Sequence, residues 1–372
     1  MRKRMMLFFL RNAQSITSFA TFCLMLKLLF HYSGGIVARL LVLLIVFSLL
    51  PTSFVYGKDL KFAVVPKFYS VFFDQSQTGC IDAAAQIKGV ECIYRGPESS
   101  SVRLQDQVIN QLIDEGVDGI AVAVTQSKYL AENSLKRAKE VGIPVVTYDS
   151  DFDVSIDEDP KSLRLAYIGT DNFALGQSLG EELKKLRPNG GTLIMQSGRP
   201  DSPNLNLRLM GVRSALSGKT YNTPPGELLN NDLGWTEVRE PLFNFDQLSQ
   251  AVKQMESVMK GKPVKANSFV AVGGWAQNDA ALYREMMAPY QDKIDNKDIV
   301  IIITDTSPEQ LTMLKDRLAH INIGQSPYEM GRQAILTLYK IVTKQQYDDI
   351  IYTPVTFCTQ QNYETCEKPA GM

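Results

Sequence analysis

The chain is poor in histidine, with two in 372 residues, His31 and His320. Zinc sites draw on histidine and cysteine at short spacings, and no CxxC accompanies His320. A histidine-activated serine is equally unsupported, because the G-x-S-x-G match GQSLG at 176–180 lies within a helical run rather than at a strand-to-helix turn. Basic excess is absent as well. The 39 lysines and arginines face 40 acidic residues, whereas a nucleic-acid surface calls for clustered positive charge. No fixed-period repeat and no low-complexity tract interrupts the sequence. No cofactor, metal or nucleic-acid partner is expected, and no catalytic residue is assigned.

Charge is unevenly spread. Residues 1–57 hold no acidic side chain and six basic ones: Arg2, Lys3, Arg4, Arg11, Lys27 and Arg39. The stretch ARLLVLLIVFSLLPTSFVYG runs from a basic residue through an apolar core to Pro51, Val55 and Gly57. That order fits a secretory signal cleaved after Gly57, with an uncleaved membrane anchor as the alternative. Residues 58–372 keep 33 basic and 40 acidic side chains, a balance of about −7. A segment of that length predicts two lobes rather than one growing core.

Of five cysteines, Cys23 lies in the leader and four follow it: Cys80, Cys92, Cys358 and Cys366. Four cysteines permit three connectivities. In an oxidising compartment the local pairs Cys80–Cys92 and Cys358–Cys366 are the expectation.

Short apolar runs alternate with longer amphipathic ones. Strands are expected at Phe62–Val65, Glu91–Tyr94, Gly119–Val124, Pro144–Tyr148, Leu165–Ile168, Thr192–Gln196, Phe269–Val272, Ile299–Thr304, Ile321–Ile323 and Val355–Phe357. In SVRLQDQVINQLIDEG, Leu104, Val108, Leu112 and Ile113 recur at helical spacing and Gly116 supplies a stop. Apolar strands separated by helices argue for parallel sheets covered on both faces. The stretch 217–240 is the least regular and reads as a long surface loop.

Doubly wound sheets bind ligands beyond the carboxyl ends of their strands. The residues that follow the apolar runs are Phe72 and Phe73, Asp149 and Ser150, Trp275, Asp305 and Gln325. With Arg208 they make a set of carboxylates, aromatics and an amide suited to something small, neutral and rich in hydroxyls. Asp149 and Asp305 are also the one pair that a glycoside hydrolase reading would use, and no activating neighbour is legible beside either.

These residues resemble the ribose-type periplasmic sugar-binding proteins of bacterial ABC importers. SVFF is similar to that family's N-P-F-F turn, and IPVVTYDS to its I-P-V-I-x-x-D-R strand end. GTDNFALGQSLG resembles D-N-x-x-x-G-x-x-x-G, RLMG matches R-x-x-G, and GQSPYEMG matches Q-x-P-x-x-x-G. AQND and the TD of 304–305 fall where the family has its later second-lobe segments. The resemblance spans nearly all of 58–357 and implies an α/β fold of two doubly wound parallel-sheet lobes. Three crossings near 168–170, 324–326 and 353–355 would join them. One lobe would be 58–168 plus 326–353, the other 169–325 plus 354–372.

The resemblance also implies that Phe72 and Phe73 sandwich a sugar ring while Arg208, Asp149, Asp305 and Gln325 bond its hydroxyls. Sugar C–H faces suit aromatic rings, and hydroxyls suit charged planar partners. A monomeric chain, an ABC permease and a carbohydrate complete the expectation, with a membrane sensor as the other possible partner. The sequence departs from the family in places. Ser150 stands where ribose binders carry arginine, and Ser70 where they carry asparagine. Either Trp275 or Asn278 takes the family's asparagine position, and Phe245, with Trp235 as competitor, takes that of a second-lobe aromatic. Losing a guanidinium removes up to five donors, so a ligand other than ribose is expected, and the volume that serine frees leaves room for a larger one.

Overall fold

Fourteen strands form two separate sheets in a computed structural model that describes residues 59–366 except 154, 155, 157 and 158. The leader 1–57, its cleavage point and the tail 367–372 lie outside the described residues. The strands are β1 (Leu60–Val65), β2 (Val90–Tyr94), β3 (Gly119–Val122), β4 (Val145–Tyr148), β5 (Tyr167–Gly169), β6 (Gly191–Ser197) and β7 (Asn230–Asp232). They continue with β8 (Trp235–Glu237), β9 (Leu242–Phe243), β10 (Ser268–Ala271), β11 (Val300–Thr304), β12 (Ile321–Gly324), β13 (Ile350–Tyr352) and β14 (Thr356–Thr359).

The first sheet runs β13-β5-β4-β3-β1-β2, parallel throughout, with Ala63 opposite Ile120 and Ile93. The second runs β14-β12-β11-β10-β6-β8-β7, and β9 also pairs with β6. There only β12/β14 and β7/β8 are antiparallel. The central strands are buried along their whole length, as Gly119–Val122, Val145–Tyr148 and Val300–Thr304 illustrate. Helices cover both faces, which is why these runs are continuously apolar rather than alternating.

The chain crosses between lobes three times. It leaves β5 for the helix Asn172–Leu186, whose Leu175, Leu179 and Leu183 join the second core. It returns from β12 into the helix Pro327–Val342, whose Met330, Ala334 and Leu338 join the first. It leaves again from β13 to β14. The short strands β7, β8, β9 and β13 were not expected. Each has two or three residues, and Asn230–Asp232 carries no apolar side chain at all.

Both expected disulfides are present. Cys80 in the helix Val71–Ala85 joins Cys92 in β2 with Cα atoms 5.9 Å apart. Cys358 in β14 joins Cys366 with Cα atoms 5.4 Å apart.

Candidate functional site

Two strands end alike. β4 is followed by Asp149 at φ 59° and β11 by Asp305 at φ 77°. Aspartate is among the few non-glycine residues that tolerate this left-handed turn. Both residues line the same cavity between the lobes.

The second-lobe wall is built on two helices that touch backbone to backbone. A Cβ on Gly176 would strike the carbonyl of Arg208, and one on Gly211 the carbonyl of Phe173. This approach seats Arg208, 2% exposed, at the base of the cavity. Its Nε donates to Asn172 Oδ1 at 2.8 Å, Nη1 to the Val272 carbonyl at 2.9 Å and Nη2 to Gln325 Oε1 at 2.6 Å. Gln325 Nε2 then donates to Asp305 Oδ1 at 2.8 Å. Burial raises the Asp305 carboxyl above its ordinary range, opposed by the Arg208 charge and the Gln325 hydrogen bond. Trp275, from the short helix after β10, donates through Nε1 to Asp246 Oδ1 at 3.0 Å.

The first-lobe wall starts with Ser70, which caps the helix Val71–Ala85 by accepting from the Phe73 N–H at 3.4 Å. The aromatic pair therefore lies in a first helical turn, not on an extended segment. Phe72 and Phe73 meet edge to face, with centroids 5.1 Å apart and planes at 89°. Phe73 is 4% exposed and packs edge-on against Phe68 and Tyr148. Perpendicular rings in contact leave no slot, so the sandwich implied for this pair is corrected. Phe72 lines the cavity from one lobe, and Trp275 is the aromatic that lines it from the other.

Of the expected residues, Ser70, Phe72, Phe73, Asp149, Arg208, Trp275, Asn278, Asp305 and Gln325 line one cavity. Trp275 and Asn278 are both there, so neither replaces the other. Ser150 and Phe245 are corrections. The left-handed turn at Asp149 tucks Ser150 beneath the surface, fully buried, with its N–H on the Tyr148 carbonyl. Phe245 is 48% exposed. The consecutive left-handed residues Phe245 and Asp246 send the carboxylate, not the ring, to the cavity. Trp235 packs in the second core instead.

Several lining residues escaped the sequence reading. Lys67 stands two positions past β1, and Ser202 and Asn204 follow β6, so a complete census of strand ends would have included them. Asp246 follows β9, a two-residue strand with no sequence signal. Lys67 Nζ donates to Ser202 Oγ at 3.1 Å and Asn204 Oδ1 at 3.0 Å, and lies 3.7 Å from Asp149 Oδ2. Burial pushes the Lys67 ammonium down, and Asp149 and Asp246 oppose that shift.

The cavity measures about 90 Å³, room for roughly half a dozen waters and so for one small ring rather than a chain of them. Three carboxylates line it, and its two best-buried cations, Lys67 and Arg208, already have protein partners. Such a lining accepts hydrogen bonds from a ligand more readily than it neutralises an anion. Among the described residues no group of three or more histidine, cysteine or acidic side chains is arranged to hold a metal.

A family model described as periplasmic binding protein domain matches residues 62–346. The xylose/arabinose-binding protein of Sulfolobus acidocaldarius is 29% identical over 152 residues, 40% of this chain and 37% of that protein. The fructose import binding protein of Bifidobacterium longum is 30% identical over 118 residues, 32% of this chain and 36% of that protein. The aligned segments thus span just over a third of these relatives' length. An ABC transporter solute-binding protein of Burkholderia graminis, solved in complex with D-arabinose, superposes at TM-score 0.70 with 28% identity. That match covers 84% of this chain and 99% of the other. A solute-binding protein of Agrobacterium vitis with bound D-fucose gives TM-score 0.70 at 22% identity, covering 82% and 97%, a likeness of fold.

Proposed function

The chain belongs to the periplasmic binding protein family, and from that premise we propose that it captures a neutral monosaccharide or similar polyol for an ABC importer. The observation that carries this reading is the lining itself: Asp149, Asp246 and Asp305 beside Phe72 and Trp275, with Lys67 and Arg208 already engaged. Hydroxyls donate to carboxylates and C–H faces lie on rings. A sugar phosphate or sugar acid would meet three carboxylates, while the lining cations Lys67, Arg199 and Arg208 are each already paired within the protein.

On this reading Ser70, Phe72, Asp149, Arg208, Trp275, Asn278, Asp305 and Gln325 contact or support the ligand. The lobes 58–168 plus 326–353 and 169–325 plus 354–372 close on it by a hinge, the motion general to periplasmic binding proteins. The chain is exported by its leader, begins at Lys58 once processed, and binds without chemical change. The sugars bound by related proteins set the panel.

Calorimetry with D-arabinose, D-xylose, D-fructose, D-allose and D-fucose, against gluconate and glucose 6-phosphate, tests the reading. Saturable binding of at least one neutral sugar and none of either anion is expected. Tight binding of an anion with no neutral sugar bound overturns it.

A further inference from the structure

Lys67 belongs to the first lobe, yet both of its hydrogen bonds are made to the second, to Ser202 Oγ and Asn204 Oδ1. Ser202 Oγ donates in turn to Asn204 Oδ1 at 3.1 Å. Asn204 Nδ2 faces back across the cleft, 3.5 Å from either oxygen of Asp149. The circuit thus runs from lobe to lobe and back through protein atoms alone. Asn204 precedes Arg208 by four residues in the helix Pro203–Ser217 and so shares its face.

We propose that Lys67 is an interlobe strut that sets how far the lobes close, by anchoring the start of the helix that carries Arg208. An ammonium has three donors. Two are committed across the cleft and the third side faces the Asp149 carboxylate. The lysine therefore acts on closure and is not the group that reads a bound molecule.

The test is small-angle scattering of the full chain without any added sugar, so it stands whether or not the sugar reading does. Lys67→Met keeps the length and apolar stem of the side chain and removes its donors. The closed-to-open ratio should fall roughly ten- to hundredfold, as expected for hydrogen bonds to a charged group, and the radius of gyration should rise. Ser202→Ala, which deletes one acceptor, should shift the same way by less. The double variant should open no further than Lys67→Met. Scattering of Lys67→Met that superposes on the parent overturns the proposal, as does a double variant that opens by the sum of the two. If Lys67→Met does not fold, Ser202→Ala decides, and an unchanged radius overturns it.

Discussion

The two walls of the cavity are held in opposite ways. In the second lobe, Asn172, Arg208, Gln325 and Asp305 form a chain of hydrogen bonds of 2.6–2.8 Å. In the first lobe, the Asp149 carboxylate is approached by side chains only at 3.5 Å from Asn204 and 3.7 Å from Lys67. A network bonded to itself is preorganised, and substitutions in it leave buried groups without partners. A loosely approached carboxylate has lone pairs to give a ligand. Removing the Arg208 guanidinium that ties the second wall together should therefore damage fold and binding at once, and removing the Asp149 carboxylate should damage binding alone.

The largest effect expected is that of Arg208→Met. It strips the Asn172 oxygen, the Val272 carbonyl and Gln325 of a charged donor in a buried setting. Stability should fall on the order of 3 kcal/mol or more, and sugar binding should be lost. Urea unfolding and calorimetry measure both. Parent-like stability would mean that the network does not hold the wall.

The second lobe should also be the acid-sensitive one. His320 is buried, with Nδ1 accepting from the Ile301 N–H at 3.1 Å and Nε2 3.1 Å from the Ile294 carbonyl. Burial lowers its pKa from 6.5 to about 4, so the fold favours the neutral ring. Its stability contribution is whole above pH 6.5, declines as pH falls, and is lost below about 4, a change of about 3 kcal/mol. Thermal unfolding against pH should show that slope, and His320→Gln should flatten it. An unchanged slope would assign acid sensitivity elsewhere.

The paired aspartates give the sharpest contrast. Each alanine substitution should weaken binding about 10- to 150-fold, one charged hydrogen bond's worth. Their stability effects should differ. Because burial raises the Asp305 carboxyl, its ionised form costs stability at neutral pH. Asp305→Asn should therefore raise the melting temperature at pH 7, with no gain below pH 3.8, the ordinary carboxylate value, where the parent is protonated in both states. Asp149→Asn should give no such gain, since it takes a counter-charge from Lys67. Equal melting curves for the two variants would erase the contrast between the walls.

Much of the fold was legible because its central strands are buried on both faces and read as unbroken apolar runs, as in IVIIIT. The edge strands β7 and β13 were not legible. With three residues each and polar or exposed side chains, they are held by neighbours rather than by their own pattern. The site followed the same division. Asp149 and Asp305 were found because they cap readable strands. Asp246 was not, because β9 has two residues. Ser150 and Phe245 were misplaced because adjacency along a sequence does not tell which of two neighbours a left-handed turn sends inward.

The smallest effect should separate the two phenylalanines that the sequence presents as a pair. Phe73, 4% exposed and ringed by Phe68, Phe72 and Tyr148, is a core residue that touches the cavity. Phe72 is half-buried on the cavity lining, and its neighbour contacts it edge-on. Phe72→Ala should remove one stacking face for a sugar, about 1 kcal/mol, or roughly fivefold in affinity. Its melting temperature should move less than that of Phe73→Ala, which opens a hole in the core. Calorimetry with the sugar identified from the panel and melting of both variants measure the two quantities. If Phe72→Ala binds like the parent, Phe72 offers no ring face to the ligand, and Trp275 and Phe68, which also line the cavity, are rings left to read it.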